Sequence, residues 1–275
     1  MKNKKIINVL LATLAIGILA IYVLPYIYLL LTSFKTPDSV LSTPPTFLPT
    51  KFSLENYTVI GNYSYLPKTF ANSLIIAILS TCLTMVIAIP AAYGITRYET
   101  RYGRIFQIST LVARMVPYIS VAIPLFFMMK TIHLIDTYLA VVIGHMTVSL
   151  PLAIWLLTGF FDDIPAELEE AARIDGCNRL QALVWIILPI KMGGISVTAI
   201  FSFLASWNDF LFSLMLTSTS TKTAPIAIAE FNSQYGTAWG TMASLAVLFS
   251  LPVILLSFFL QKRVVAGATM GAIKG

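Results

Sequence analysis

Residues able to do chemistry are sparse in this chain, and most lie where an apolar environment surrounds them. Trp207, Asn208 and Asp209 stand consecutively inside one apolar run, and Arg114 stands inside another. His133 and His145 stand alone, and Cys82 and Cys177 have no neighbours at metal-ligand spacing, so neither a metal centre nor a disulfide framework is implied. A charged group at the centre of a bilayer costs about 2.5–3.5 kcal/mol on insertion scales, so Arg114 and Asp209 need partners or water. One denser group remains, the stretch EEAARIDGCNRLQALVWIILP at residues 169–189. No paired His, Asp and Glu constellation suggests catalysis. No G-x-x-x-x-G-K-[ST] pattern occurs, so nucleotide phosphates have no cradle of that kind in this chain.

The elements that hold these residues follow from composition. The chain has 275 residues, 57% hydrophobic and 11% charged, with a mean hydropathy of +0.84. Soluble domains carry about 25% charged residues. Lipid is therefore the expected solvent, and a soluble enzyme with a large core is excluded. Six apolar runs reach membrane-crossing length, at about 6–34, 72–93, 105–129, 137–160, 193–216 and 239–260. Pro25, Pro90, Pro117, Pro124, Pro151 and Pro252 lie within them, as neighbouring helices permit in membranes. The sequence thus predicts an all-α membrane protein of six transmembrane helices, with residues 1–275 forming one transmembrane domain.

Charge placement gives a direction. One set of loops holds Lys2, Lys4, Lys5, Arg97, Arg101, Arg104, Arg173, Arg179, Lys191, Lys262, Arg263 and Lys274; the opposite set holds only Lys35, Lys51, Lys68, Lys130 and Lys222. The positive-inside rule then puts both termini and the 161–191 loop in the cytoplasm. The net charge of +6 is an orientation signal and implies no nucleic-acid partner. The basic, apolar start is too long for a signal peptide and lacks an A-x-A-like site, so it reads as an uncleaved first span. Two long external segments follow from this topology. Residues 35–71 are proline-bearing and stiff, with a short helix near SLENY capped by Ser53, and residues 217–238 are rich in Thr, Ser and Ala.

The 161–191 loop reads as two short helices. Asp162 and Asp163 favour a helix start, Pro165 suits its first turn, and the helix is predicted over 165–174. Leu168, Ala171 and Ala172 would share one side, with Glu167, Glu170 and Arg173 on the other, and Glu169 could pair with Arg173 at i,i+4. Gly176 would close this helix in a left-handed conformation, Asn178 would cap the next, and Pro189 would mark the entry to span five. Its acidic residues disfavour a loop lying on anionic headgroups. A docking surface for a cytoplasmic partner is the better reading.

The segment resembles the EAA loop of ABC-importer permeases, whose pattern is E-A-A, three residues, G, nine residues, I-x-L-P. Glu170, Ala171, Ala172, Gly176, Ile186, Leu188 and Pro189 meet every spacing. Other stretches are similar to the carbohydrate (maltose/trehalose-type) branch: FLPTKFSLENY, FANSL, RMVPYISVAIPLF, LIDTYLAVVI, WNDFL and the tail AGATMGAIKG. In that tail Ala268 and Ile273 depart from the usual G-L-T-x-G-A-V-K-G. The resemblance covers nearly the whole chain. It implies a MetI-like bundle of a type I importer in the cell membrane. Such a subunit pairs with a second homologous permease, binds two ATPase subunits inside and meets a sugar-binding protein outside. It implies no cofactor on this chain, with ATP and Mg held by the partner subunits, and a transport role rather than an enzyme.

On that resemblance Glu170, Ala171, Ala172, Gly176, Leu188 and Pro189 form the ATPase-coupling set. Arg114, Trp207, Asn208 and Asp209 are candidates for the translocation path, since carboxylate and amide groups suit sugar hydroxyls and an indole suits a pyranose face. For Arg114 a bundle hydrogen-bond network and snorkelling to the cytoplasmic edge remain open, and for Trp207 simple packing does. The Gly- and Ala-bearing tail at 262–275 is expected to run extended along a partner or to hang free. The substrate expected is a di- or oligosaccharide such as trehalose or maltose. The alternatives are a monosaccharide or glycerol phosphate, or an ion-coupled carrier, for which Asp209 is the one obvious coupling acid.

Overall fold

The structure, a computed structural model, describes residues 2–97, 101–233 and 236–270. Its first elements are α1 (Lys2–Ser33), α2 (Pro37–Val40), α3 (Glu55–Gly61), α4 (Leu66–Arg97), α5 (Arg101–Met115), α6 (Tyr118–Thr131) and α7 (Tyr138–Asp162). Next come α8 (Ala166–Ile174), α9 (Arg179–Ala182), a π-turn (Leu183–Ile187), α10 (Leu188–Ile190), α11 (Met192–Trp207) and α12 (Leu211–Leu216). The chain closes with α13 (Ala224–Ala229), β1 (Asn232–Ser233), β2 (Gly236–Thr237) and α14 (Trp239–Met270).

Four of these helices are long and apolar enough to cross a membrane alone, within α1, α4, α7 and α14. The other two predicted spans are bent. The third run divides into α5 and α6, which meet at 94°. Pro117 stands at the corner, where it offers no N–H and disfavours the α region for Val116, so the break falls at the weakest point of the run. The fifth run also departs from the expected 193–216 helix. It stops at Trp207, resumes at Leu211, and at its start meets the 179–190 segment at 85°. Lys191 leaves helical geometry at φ −103° and ψ 21°, next to the Gly193–Gly194 pair.

The chain forms two compact units, one of residues up to Leu66 with Ala227–Pro252, the other of Pro67–Ile226 with the residues after Pro252. In the first unit the apolar side chains of α1 from Ile6 to Leu24 stay open to their surroundings, as suits a rod immersed in hydrocarbon. The end of α1 is tied to the following loop by Asn56, whose Nδ2 donates to the Ser33 and Lys35 carbonyls at 3.1 and 2.8 Å. Buried Lys35 donates to the Thr46 carbonyl at 2.6 Å and lies over the Tyr28 ring. The short helix expected near SLENY is α3. Its N-cap is Leu54 rather than Ser53, although the Ser53 hydroxyl accepts from the Glu55 N–H at 3.1 Å.

In the second unit, small side chains let the helices approach closely, the usual packing device where lipid removes the hydrophobic drive. Ala77, Ala88 and Ala92 of α4 are fully buried, and Gly144 of α7 faces Phe212 and Leu216. Asp136 joins two loops. Its carboxylate accepts the N–H groups of Ser218, Thr219, Ser220 and Thr221 and the Thr221 hydroxyl at 2.9–3.2 Å. Partial burial alone would raise its pKa, but these donors outweigh that and hold the carboxyl well below the usual range. The tail departs from expectation too: α14 stays helical through Met270, since Ala and Met favour a helix where Gly is scarce. Residues 271–275 of that tail, including Ile273 and Lys274, lie outside the described residues.

Candidate functional site

The charged loop folds into the helix–turn–helix its spacing implies. Helix α8 begins after Pro165 and carries Glu167 and Glu169 in its first turn, where acids suit the helix dipole. It ends in a Schellman turn: the Cys177 N–H donates to the Ala172 carbonyl at 3.0 Å and the Gly176 N–H to the Arg173 carbonyl at 3.1 Å. Gly176 takes φ +93°, a conformation open to glycine and closed to most side chains. Asn178 then opens α9 with a capping box. Its Oδ1 accepts from the Gln181 N–H at 2.9 Å, and Gln181 Oε1 accepts from the Asn178 N–H at 2.8 Å. Further on, Pro189 supplies no N–H to the carbonyl four residues back. A π-turn lies over that stretch, with the Leu188 N–H donating to the Leu183 carbonyl five residues back.

The facing of α8 differs from the expected one. Ala172 and Glu169 are buried, whereas Leu168, Glu170 and Ala171 are exposed and Ile174 is 87% exposed. Glu169 does not pair with exposed Arg173; it turns inward to α4. Tyr93 Oη donates to Glu169 Oε1 at 2.6 Å, and Arg97 Nε lies 3.0 Å from Glu169 Oε2. Arg97 Nη1 also donates to the Ile164 carbonyl at 3.2 Å. Tyr93 belongs to an apolar cluster with Ala92, Leu157, Phe161, Leu183 and Ile187. The outward surface combines Glu167, Leu168, Glu170, Ala171 and Ile174 with Leu180 of α9, a mixture of acids and apolar side chains open to a partner. Within the coupling set, Leu188 is half-buried and Pro189 sits at the bend, so these two shape the elbow while Glu170 and Ala171 form its face.

The second group of candidates centres on the break between α11 and α12. Asp209 Oδ1 lies 3.0 Å from His145 Nε2 and accepts the Ser213 N–H at 3.0 Å. His145 Nδ1 is 2.6 Å from Ser206 Oγ, and Nε2 is 3.2 Å from Ser213 Oγ. The lone histidine is thus a structural hydrogen-bonder. It joins the end of α11, the break and the start of α12 to α7. Trp207 is 2% exposed and stacked on Phe203, which favours packing over path lining for its indole. Asn208 is exposed, with its Nδ2 on the Leu204 carbonyl at 2.9 Å. Arg114 is exposed in the last turn of α5, beside the Pro117 corner. Among the described residues no hydrogen bond or ion pair joins Arg114 to Asn208 or Asp209.

Sequence reasoning missed Tyr93, Arg97 and the inward role of Glu169. One signal was present: Tyr93 and Arg97 stand at i,i+4 where an apolar run ends, on one helix face. It missed Asp136 as well, an acid at positive φ whose partners lie more than eighty residues away.

Membrane-length helices and an elbow of two short helices together define a polytopic membrane protein. Residues 84–269 match the family described as the binding-protein-dependent transport system inner membrane component, and the chain belongs to that family. It is 38% identical over 256 residues to a probable ABC transporter permease, y4oR, of Sinorhizobium fredii, covering 92% of this chain and 91% of that one. It is 33% identical over 279 residues to the trehalose/maltose transport system permease MalG of Thermococcus litoralis, with 100% of both chains covered. Among solved structures, a bacterial ABC transporter that imports the acidic polysaccharide alginate superposes with a TM-score of 0.79 at 20% identity, over 95% of this chain and 98% of the other. That likeness is one of fold.

Proposed function

We propose that this chain is one permease subunit of an ATP-driven importer for a di- or oligosaccharide such as trehalose or maltose, forming half of the translocation path. Its partners are a second homologous permease in a heterodimer, two ATPase subunits that hold ATP and Mg, and an extracytoplasmic sugar-binding protein. Both termini and the elbow face the cytoplasm. The observation that carries this reading is the elbow: a helix closed by the Gly176 turn and followed at once by the Asn178-capped α9, presenting Glu170, Ala171 and Ile174 outward from a chain with no nucleotide-binding motif. Acids on such a face suit charge-assisted contacts with basic groups of an ATPase cleft. A stiff element also passes on a rigid-body movement that a loose loop would absorb. The likeness to the trehalose/maltose permease supports the substrate class.

In this reading Asn208, exposed at the α11–α12 break, and Arg114, exposed at the α5–α6 corner, are the path-facing candidates. Asp209 holds the break in place through His145, and Trp207 packs behind it. An ion-coupled carrier would need Asp209 free to exchange a cation, and its engagement by His145 and the Ser213 N–H counts against that. The test is the assembled complex in lipid vesicles with a panel of sugars and their binding protein. Trehalose or maltose should stimulate ATP hydrolysis and uptake together, and a Cys177 crosslink should reach an ATPase subunit. Uptake without an ATPase would overturn the reading, and stimulation only by a monosaccharide or glycerol phosphate would overturn the substrate class.

A further inference from the structure

We infer that Glu169 is a positioning residue that fastens both arms of the elbow to α4 through Arg97 and Tyr93, so that movement of the elbow is delivered to α4. The inference rests on the elbow being the ATPase-docking segment and names the route by which it drives the bundle. Glu167 and Glu170 on the same helix are exposed, while Glu169 is 7% exposed. Both of its oxygens face α4: one accepts the Tyr93 hydroxyl at 2.6 Å, and the other is ion-paired with Arg97 Nε at 3.0 Å without hydrogen-bond geometry. The same two residues reach to either side of α8. Arg97 Nη1 holds the Ile164 carbonyl before it, and Tyr93 Oη lies 3.4 Å from the Arg179 carbonyl at the start of α9. One turn of α4 therefore touches the entry to the elbow, its first helix and its second.

Burial gives these contacts their mechanical meaning. A surface ion pair is screened and yields to small displacements. The Arg97–Glu169 pair has side chains only 11% and 9% exposed, so it cannot exchange its partner for water without leaving a charge largely buried. Had Glu169 paired with Arg173, both charges would lie within α8, and the elbow could swing without α4. Neighbouring glutamates thus divide the work, Glu170 toward a partner and Glu169 toward the membrane helices.

The experiment uses the complete transporter in vesicles, in a Cys82→Ser background so that Cys177 alone reports docking. Glu169→Gln and Arg97→Met should keep the Cys177 crosslink to the ATPase while sugar taken up per ATP hydrolysed falls about ten-fold, within the range of energetic coupling between linked sites. Exchanging the charges, Glu169→Arg with Arg97→Glu, should restore at least part of the loss. Tyr93→Phe keeps the ring packing and removes one bond, so it should give a smaller fall even if the charge variants do not assemble. Undiminished uptake per ATP in Tyr93→Phe, or in both charge variants with the crosslink intact, overturns the inference. A missing Cys177 crosslink in the otherwise unaltered complex would instead overturn the docking reading beneath it.

Discussion

Gly176 allows the stiffness of the elbow to be varied without touching any neighbour. It sits at φ +93°, and nothing lies within 4 Å of the place a Cβ would occupy. Gly176→Ala therefore meets no steric obstacle, and its cost is that of holding an L-residue on the left-handed side, about 1–2 kcal/mol. Since 1.4 kcal/mol is a factor of ten, the ratio of native to opened turn should fall by about 5- to 30-fold. Gly176→Pro should cost more. Its φ is locked near −65°, and it loses the N–H that donates to the Arg173 carbonyl at 3.1 Å. Gly176→Asn, which tolerates the left-handed region, should lie between glycine and alanine. Uptake and hydrolysis measured in the same vesicles should rank coupling as Gly, Asn, Ala, Pro. Normal uptake per ATP in the Ala and Pro variants would show that turn stiffness does not set coupling, and so would an Asn variant poorer than Ala.

Three further outcomes follow from other contacts. His145→Ala removes the ring that joins Ser206, Asp209 and Ser213, and should lower the stability of the detergent-purified complex by about 1–3 kcal/mol in thermal denaturation, with Asp209→Ala giving a similar loss. Gly194→Ala would place its Cβ 2.5 Å from the Phe160 ring, so the α7–α11 contact must shift, at about 1–3 kcal/mol in the same assay. Asp136 has a depressed folded-state pKa, so its contribution is full above the unfolded value of 3.8 and is lost as pH falls through the lower folded value. Proteolysis of the 217–221 loop should therefore be flat from about pH 5 to 8, and Asp136→Asn should raise cleavage across that range because an amide accepts fewer of the four N–H donors.

Signals that act within a few residues were legible in the sequence. The Gly176 turn, the Asn178 cap and the 165–174 helix depend on bonds spanning three to five residues, so residue type and spacing suffice to place them. The apolar runs located the four long helices and the two bent pairs for a similar reason, because length and hydropathy are properties of a window. They did not give the bends. Six prolines lie in apolar runs, and only the tertiary setting decides that Pro117 makes a corner whereas Pro25, Pro90, Pro124, Pro151 and Pro252 stay inside helices. The Asp136 and His145 networks were hidden too, since each closes across more than sixty residues.

Rotational setting was the hardest property to read, and α8 shows why. On a soluble helix the apolar stripe names the buried side. Here the interior neighbour is the end of α4, which presents Tyr93 and Arg97, so the side chain it draws inward is an acid and not a leucine. Pattern alone put Leu168, Ala171 and Ala172 on one side, yet Ala172 is buried while the other two face out. The geometry of a helix completes the point. Adjacent residues differ by about 100° around the axis, so Glu169 and Glu170 cannot serve the same neighbour. A buried carboxylate is tolerated only with a cation and donors around it, and Arg97 and Tyr93 supply both. The exposed acid, Glu170, is under no such demand.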